Sequence, residues 1–325
     1  MKELLLTNYN IYVKDYVSVL GRTGFRDQDY TYFIINATNK EMIQMEQAAL
    51  AYYLSENGYN HTALPIPTND NKWFVNQEDN RYLVLRVAEL QENLRDSHGV
   101  TLAQFHEKTA AYPYEPKEIS SYGLWKNLWI NKLTAFEQKI QKEAIEHPTD
   151  YYRLLIDVLP YLVGISENAI QYIQESESDK RYHYGDQGVF TFQRYKENLV
   201  EPVIWTDELV YDHPSRDLAE FIRYKFLEND EKITDEVVKF MSDYQSIRPL
   251  SVFSWRLLYA RLVFPIHLFD FIERCFYGND FDQYHVALRG YMERQKLYEQ
   301  RLGQLYDVME VDYKSFDIPI IQWLS

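Results

Sequence analysis

The spacing of apolar residues changes character once along this chain, near residue 90, and that change restricts the fold more than any other feature. Before it, Tyr30 to Ala37 is an apolar, β-branched and aromatic run preceded by a turn containing Gly21 and Gly24. Lys40 to Asn57 carries Met42, Met45, Ala49, Leu50, Tyr53 and Leu54 at helical spacing, with Gly58 as its stop. Lys72 to Val75 and Arg81 to Ala88 read as a strand pair around the polar turn Gln77-Glu78-Asp79-Asn80. After it the pattern is helical: Trp125–Ile145, Tyr151–Leu162 and Glu167–Glu175, separated by Pro148 or Gly164. A second strand pair is expected at Val189–Tyr195 and Pro202–Thr206, around Glu197-Asn198. Helices are expected again at Arg216–Leu227, Thr234–Gln245, Ser254–Phe264, Leu268–Cys275 and Phe281–Tyr306. The expected class is α+β, with a small β-rich part over residues 1–90, a helical part over 91–325 and a boundary near Glu89 to Asn93.

Composition narrows the function classes. With 46% hydrophobic and 26% charged residues the chain is globular. A net charge of −15, spread along the chain, argues against nucleic acid or an anionic membrane as the main partner. Cys275 is the only cysteine, which excludes an intramolecular disulfide and a Cys-based zinc site. The histidines show no His-x-x-x-His or His-Glu-x-x-His spacing, so no metal centre is expected. Ser215 and Ser254 lack the Gly-x-Ser-x-Gly context of a hydrolase elbow. The apolar stretch Leu257 to Ile272 is broken by Arg261, Pro265, His267 and Asp270 and reads as a buried helical pair, not a membrane span. The Met-Lys-Glu start has no apolar export segment, so a reducing cytoplasm is the expected compartment. Tyrosine is abundant, 29 against 17 Phe, which fits half-buried packing with wet hydroxyls or, alternatively, a cross-linked assembly.

The stretch from Tyr182 to Asp217 carries the chemistry. Tyr184-Gly185-Asp186 is followed five residues on by Thr191, and Ile204-Trp205-Thr206-Asp207 stands ahead of His213-Pro214-Ser215-Arg216-Asp217-Leu218-Ala219. Leu102-Ala103-Gln104-Phe105-His106 opens the helical part. In order and spacing these segments resemble the aminoglycoside-phosphotransferase branch of the protein-kinase-like fold. Its enzymes read His-Gly-Asp, then Asn, then Ile-Asp-Trp-Glu and Asp-Pro-x-x-Asp-Leu-Ala. Within that branch the chain is most similar to endospore coat proteins of the CotS and YutH type. That similarity rests on Ser215–Ala219, the segment Leu159–Ala169 and the helix Arg256–Pro265.

The resemblance implies a bilobal kinase-like fold and a set of site positions. Phosphoryl transfer needs a group orienting the nucleophile, magnesium between the phosphates and a positive charge on them. Asp186 falls at the catalytic carboxylate. Tyr184 replaces the preceding His and is expected to brace the loop by a hydrogen bond. Thr191 replaces the Asn ligand, and counting back from Pro214 places Trp205 at the Asp ligand. Asp207 rescues the metal only if an extended segment puts it on the same face as Trp205. Asn36 stands where the small-lobe Lys belongs, and Lys40 lies beyond the strand, beside Glu41 and Glu46. Gly21-Arg22-Thr23-Gly24 is either a phosphate cradle or an ordinary turn. His106 and Asp217 are expected to be structural, and Trp205 to fill part of the nucleotide site.

Magnesium wants hard oxygen donors, and each lost electrostatic contact costs roughly 10²–10³ in rate. The expectation is therefore a pseudokinase with no cofactor and no metal, and the resemblance to the coat proteins implies that it is made in the mother-cell cytoplasm and assembled into the endospore coat with other coat proteins. Two alternatives stand beside it. One is an atypical small-molecule phosphotransferase using Asp186 with ATP and Mg²⁺; the other is a nucleotide- or metabolite-binding module.

Overall fold

The computed structural model describes residues 1–88, 90, 97–176, 183–228, 230 and 232–321. They form two compact units: Met1–Ser120 with Val189–Tyr211, and Ser121–Gly188 with Asp212–Ser325. The boundary expected at Glu89 to Asn93 lies, apart from Leu90, outside the described residues. The units divide differently from the expected 1–90 and 91–325, because the first helix beyond residue 90 and the segment 189–211 belong to the first unit.

The first unit runs α1 (Lys2–Tyr9), β1 (Asp15–Val19), β2 (Arg22–Arg26), β3 (Thr31–Asn36), α2 (Glu41–Glu56), β4 (Leu64–Ile66), β5 (Val75–Gln77), β6 (Asn80–Val87) and α3 (His98–Ala110). Its antiparallel sheet has the order β1-β2-β3-β6-β4, with β5 also pairing β6. β3 is covered on both faces, which explains its unbroken apolar run. Phe33 and Ile35 belong to a cluster with Val19, Leu83, Leu85 and Val87, whereas Tyr32 and Ile34 pack with Leu4, Leu5 and Tyr9 of α1. Helix α1 has no counterpart among the elements expected from apolar spacing. It is held by that packing and ends at Asn10 in the left-handed conformation (φ 55°).

Two turns set the strand order. Leu20 and Gly21 both have positive φ (51° and 79°) and close β1 onto β2 as a two-residue hairpin. Gly24 lies inside β2, not in the turn, and a Cβ there would come within 2.8 Å of the Phe33 and Val17 side chains. The polar turn at Glu78-Asp79 joins β5 to β6 as the sequence suggests, with β5 beginning at Val75.

β7 (Val189–Phe192) pairs with β8 (Leu209–Asp212), so the expected partner strand Pro202–Thr206 is not its partner. Glu197, at φ 64°, leads into a 3-10 turn at Asn198–Val200, and a second lies at Thr206–Glu208. Between them Ile204 bridges to Thr62, donating its N–H to the His61 carbonyl at 3.1 Å. β8 begins only after both turns. α3 packs on this hairpin through Phe105 against Phe192, with ring centroids 5.7 Å apart. The Phe190 N–H also donates to the Thr109 hydroxyl at 3.3 Å, which is why α3 joins the first unit.

The second unit is helical: α4 (Trp125–Glu146), α5 (Asp150–Ser176), α6 (Ser215–Phe226), α7 (Ile233–Gln245), α8 (Val252–Val263), α9 (Ile266–Cys275), α10 (Phe281–Gly303) and α11 (Leu305–Val308). In place of the two helices expected on either side of Gly164, α5 runs unbroken through both Pro160 and Gly164. A proline inside a helix costs about 3 kcal/mol. Here a buried stripe at helical spacing, Leu155, Leu159, Leu162, Ile165, Ala169 and Ile173, carries the helix past it. α8 is buried on nearly all sides, and with α9 it forms the expected helical pair. Among the described residues no helix is long and apolar enough to cross a membrane.

Candidate functional site

Asp186 ends a single 3-10 turn, Tyr184–Asp186, in the second unit. His183 caps it: its Nδ1 accepts the Gly185 N–H at 3.0 Å. A Cβ at Gly185 would lie 2.7 Å from the Pro249 carbonyl oxygen, so only glycine fits there without a backbone shift. Arg248 donates to the Tyr184 carbonyl (3.0 Å) and the Tyr122 hydroxyl to the Asp186 carbonyl (2.5 Å). The bracing hydrogen bonds expected of the Tyr184 side chain thus come from His183, Arg248 and Tyr122, while the Tyr184 ring is 45% exposed and lies beside His183.

The Asp186 carboxylate is 2% exposed and tightly held. Oδ1 accepts from the Ser251 and Ser254 hydroxyls, each at 2.6 Å, and lies 3.4 Å from His213 Nε2. Burial works to raise this carboxyl, but the hydrogen bonds from His213, Ser251 and Ser254 outweigh it and hold it below its ordinary value. His213 is pushed the other way, burial outweighing the pull of Asp186, so a neutral imidazole faces an ionised carboxylate. Its Nδ1 accepts the Ser215 N–H at 3.0 Å, which assigns the ring hydrogen to Nε2. Oδ2 of Asp186 is shielded from solvent and has no hydrogen-bond partner among the described residues.

A second buried carboxylate comes later in the chain. Asp212 accepts from Trp125 Nε1 (2.6 Å), Arg261 (2.8 Å), Arg216 (2.9 Å) and Ser121 (2.9 Å). Burial opposes its ionisation, but Arg261 and Arg216 prevail and hold the carboxyl well below its usual range. Asp217 is likewise fully buried, as is His106 in the first unit.

In the first unit Trp205 is 1% exposed. It packs in the sheet cluster with its ring edge-on to Phe33, centroids 4.8 Å apart at 89°. Arg22, just past the β1–β2 turn, lies over the indole at 4.2 Å. The same guanidinium donates through Nη1 to both oxygens of Asp207 (3.0 and 2.9 Å) and through Nη2 to Glu208 (2.8 Å). Of the two readings of Gly21–Gly24, the observed geometry is a turn whose arginine is fully engaged. Nearby, burial and then the Glu208 charge push Glu201 up to about 7, with Arg22 opposing.

Asp207 is not on an extended segment. It sits in the 3-10 turn Thr206–Glu208, so the alternation that would face it alongside Trp205 does not apply, and Arg22 takes both its oxygens. Thr191 is buried and donates its hydroxyl to the Val210 carbonyl at 3.2 Å. Asn36, at the end of β3, shares the parity of Tyr32 and Ile34, while Phe33 and Ile35 stand on the Trp205 side. Asn36 therefore lies on the face of the strand opposite Trp205. Its Oδ1 instead accepts the Thr38 N–H (2.9 Å), turning the chain toward α2. Lys40 is the residue preceding α2; Glu46 accepts the backbone N–H groups of Lys117, Glu118 and Ile119, and Glu41 pairs with Arg81.

Magnesium needs hard oxygen ligands, chiefly carboxylates. A buried, uncharged Thr191 hydroxyl, a Trp205 side chain with no oxygen, and an Asp207 locked to arginine do not fit that ion. The sequence pattern does not point to Ser251, Tyr122, Arg248 or Glu201, and it sets Ser254 aside as a nucleophile without placing it beside Asp186. The spacing Ser251-x-x-Ser254 ahead of an apolar run is a helix-start signal that could have flagged the pair, since Ser251 caps α8 by accepting the Ser254 N–H at 2.9 Å.

Known proteins agree with this architecture. Solved structures sharing it include an aminoglycoside phosphotransferase from Alicyclobacillus acidocaldarius, with TM-score 0.63 and 15% identity over 95% of this chain and 96% of that one. A microcompartment-associated aminopropanol kinase gives TM-score 0.57 and 10% identity over 94% and 97%. The fold is thus the aminoglycoside-phosphotransferase-like kinase fold, with an antiparallel N-terminal sheet and a mostly helical C-terminal part. In sequence, the endospore coat-associated protein YutH of Bacillus subtilis is 33% identical over 310 residues, 91% of this chain and 89% of that protein. Spore coat protein S of the same organism is 27% identical over 183 residues, 53% of this chain and 52% of that one. Residues 2–305 match the family described as "Spore coat putative kinase YutH". The chain belongs to the YutH spore coat family, built on the kinase fold of the aminoglycoside phosphotransferases.

Proposed function

We propose that this chain is a catalytically inactive kinase-fold protein that serves the endospore coat as a structural and interaction component. The observation that carries this reading is the Arg22–Trp205–Asp207 arrangement. Counted back from Pro214, Trp205 falls at the metal-binding Asp of the resembling enzymes; its indole is packed in the sheet core, and the neighbouring Asp207 is held by Arg22. Assembly with coat proteins is supported by the names of the relatives in Bacillus subtilis. On this reading the protein is made in the mother-cell cytoplasm and then joins the coat, and it uses neither ATP nor magnesium.

One observation favours a second reading, an atypical phosphotransferase. Asp186 keeps an ionised carboxylate whose Oδ2 accepts no hydrogen bond from the described residues. Such an oxygen is what a base accepting a hydroxyl proton requires. Calorimetric titration of ATP into the purified protein, with and without Mg²⁺, separates the two. The inactive reading expects no heat of binding in either condition. Magnesium-dependent binding, with nucleotide turnover abolished in Asp186→Ala, would establish the second.

A further inference from the structure

A groove of about 300 Å³ opens in the first unit between the N-terminal half of α2 and the segment 112–116. Met42, Met45 and Ala49 form one wall at helical spacing, and Tyr112, Tyr114 and Pro116 form the other. The walls are fixed before anything binds. Glu46 ties the segment to α2 by accepting three consecutive backbone N–H groups, from Lys117, Glu118 and Ile119. Tyr112 is wedged edge-on between Tyr53 (5.1 Å) and Phe190 (5.0 Å). Yet Met42 is 66% and Tyr114 70% exposed, so large apolar side chains face solvent across a preformed depression.

Charge selects among possible occupants. The groove is lined by two carboxylates, Glu46 and Glu115, and by no Lys or Arg among the described residues. Glu46 is already satisfied by backbone donors, which leaves Glu115 as the carboxylate able to meet an incoming cation. The chain as a whole carries −15, which disfavours an acidic partner and a second copy alike. The volume suits one or two side chains. Methionines lining it can repack around an aliphatic or an aromatic group.

We propose that this groove docks a short segment of a partner protein that presents an apolar or aromatic side chain next to a lysine or arginine. The apolar group enters between Met45 and Tyr112, and the cation pairs with Glu115. The proposal does not depend on whether the chain transfers phosphate, since none of the residues that hold Asp186 lines the groove.

The test uses the full chain with ¹³C-methyl-labelled methionine and the probe peptide acetyl-Gly-Lys-Phe-Leu-Lys-Gly-amide. Titration is expected to move the Met42 and Met45 methyl resonances saturably while those of Met241, Met292 and Met309 stay in place. Glu115→Lys should weaken the titration about fivefold or more with an unchanged melting temperature. The same peptide with Glu for Lys should leave both methyls unmoved. Silence at Met42 and Met45, equal response to the acidic peptide, or unchanged affinity in Glu115→Lys would overturn the proposal. Shifts produced by concentrating the protein alone would overturn it in favour of a second copy.

Discussion

Arg22 lies over the indole of Trp205 with its guanidinium carbon 4.2 Å from the ring centroid, and its nitrogens hold Asp207 and Glu208. One side chain thus supplies a cation–π contact and two ion pairs, all half-shielded from solvent. Arg22→Ala should lower stability by about 1–2 kcal/mol in urea unfolding, combining a cation–π contact with part-exposed pairs. Arg22→Lys should recover less than half, because an ammonium cannot both lie flat on the ring and fork to two carboxylates. Full recovery by lysine would mean that charge alone matters here.

The indole itself gives a sharper comparison. Trp205 Nε1 is buried with no acceptor among the described residues, a penalty that a phenyl ring does not carry. Trp205→Ala should cost about 3–5 kcal/mol as a large core deletion. Trp205→Phe should cost well under half of that, since the lost contacts are partly offset by removal of the orphan donor. Equal losses in chemical denaturation would place the cost in the cation–π contact instead.

Glu201 makes the stability of the first unit depend on pH between acid and neutral conditions. Its folded value, pushed up to about 7 by burial and by Glu208, lies above the unfolded value of 4.5. The neutral form is favoured in the folded state, so stability is fullest below about pH 4.5 and falls as pH rises through 7. Glu201→Gln should match the wild type at pH 4 and exceed it at pH 8 by about 1 kcal/mol, the linkage value discounted for partial exposure. Parallel pH profiles of melting temperature for the two proteins would rule this out.

Asp212 acts at the opposite end of the pH scale. Its carboxyl is held below the unfolded value by Arg261 and Arg216 against the cost of burial. The stabilisation is therefore present above about pH 4 and lost as pH falls toward the folded value. Asp212→Asn should cost about 3–5 kcal/mol near neutrality, because it strands Arg261 in the interior. The deficit relative to wild type should shrink below pH 4. A deficit constant with pH would assign the loss to packing around Trp125.

Much of the fold is legible in the sequence because most elements bury one continuous stripe. Helices α6 to α10 follow their apolar spacing to within a few residues. The turn at Glu78-Asp79 is also readable, from its polar turn residues. What escapes is non-periodic. A 3-10 turn has neither the two-residue nor the 3.6-residue signal, so apolar spacing puts Asp207 on an extended segment and seeks the partner of β7 too early. Strand parity at Asn36 depends on one residue of register, which a run apolar on both faces does not reveal. Gly164 suggests a break in α5, yet the buried stripe outweighs it. The Ser251–Ser254 hold on Asp186 joins residues 65 and 68 positions apart, a separation no local pattern reports.

The seat of Trp205 behaves as a ratchet. Replacing the indole by aspartate would leave a hole in the sheet core and put a charge there, while the nearest cation is already shared between Asp207 and Glu208. Replacing Arg22 first would leave two carboxylates and the elevated Glu201 facing one another without a cation. Either order passes through a sequence that folds worse than the one in hand. A lineage carrying this clasp is free to elaborate its outer surfaces, but exchanging the indole at position 205 for a carboxylate runs uphill by either route.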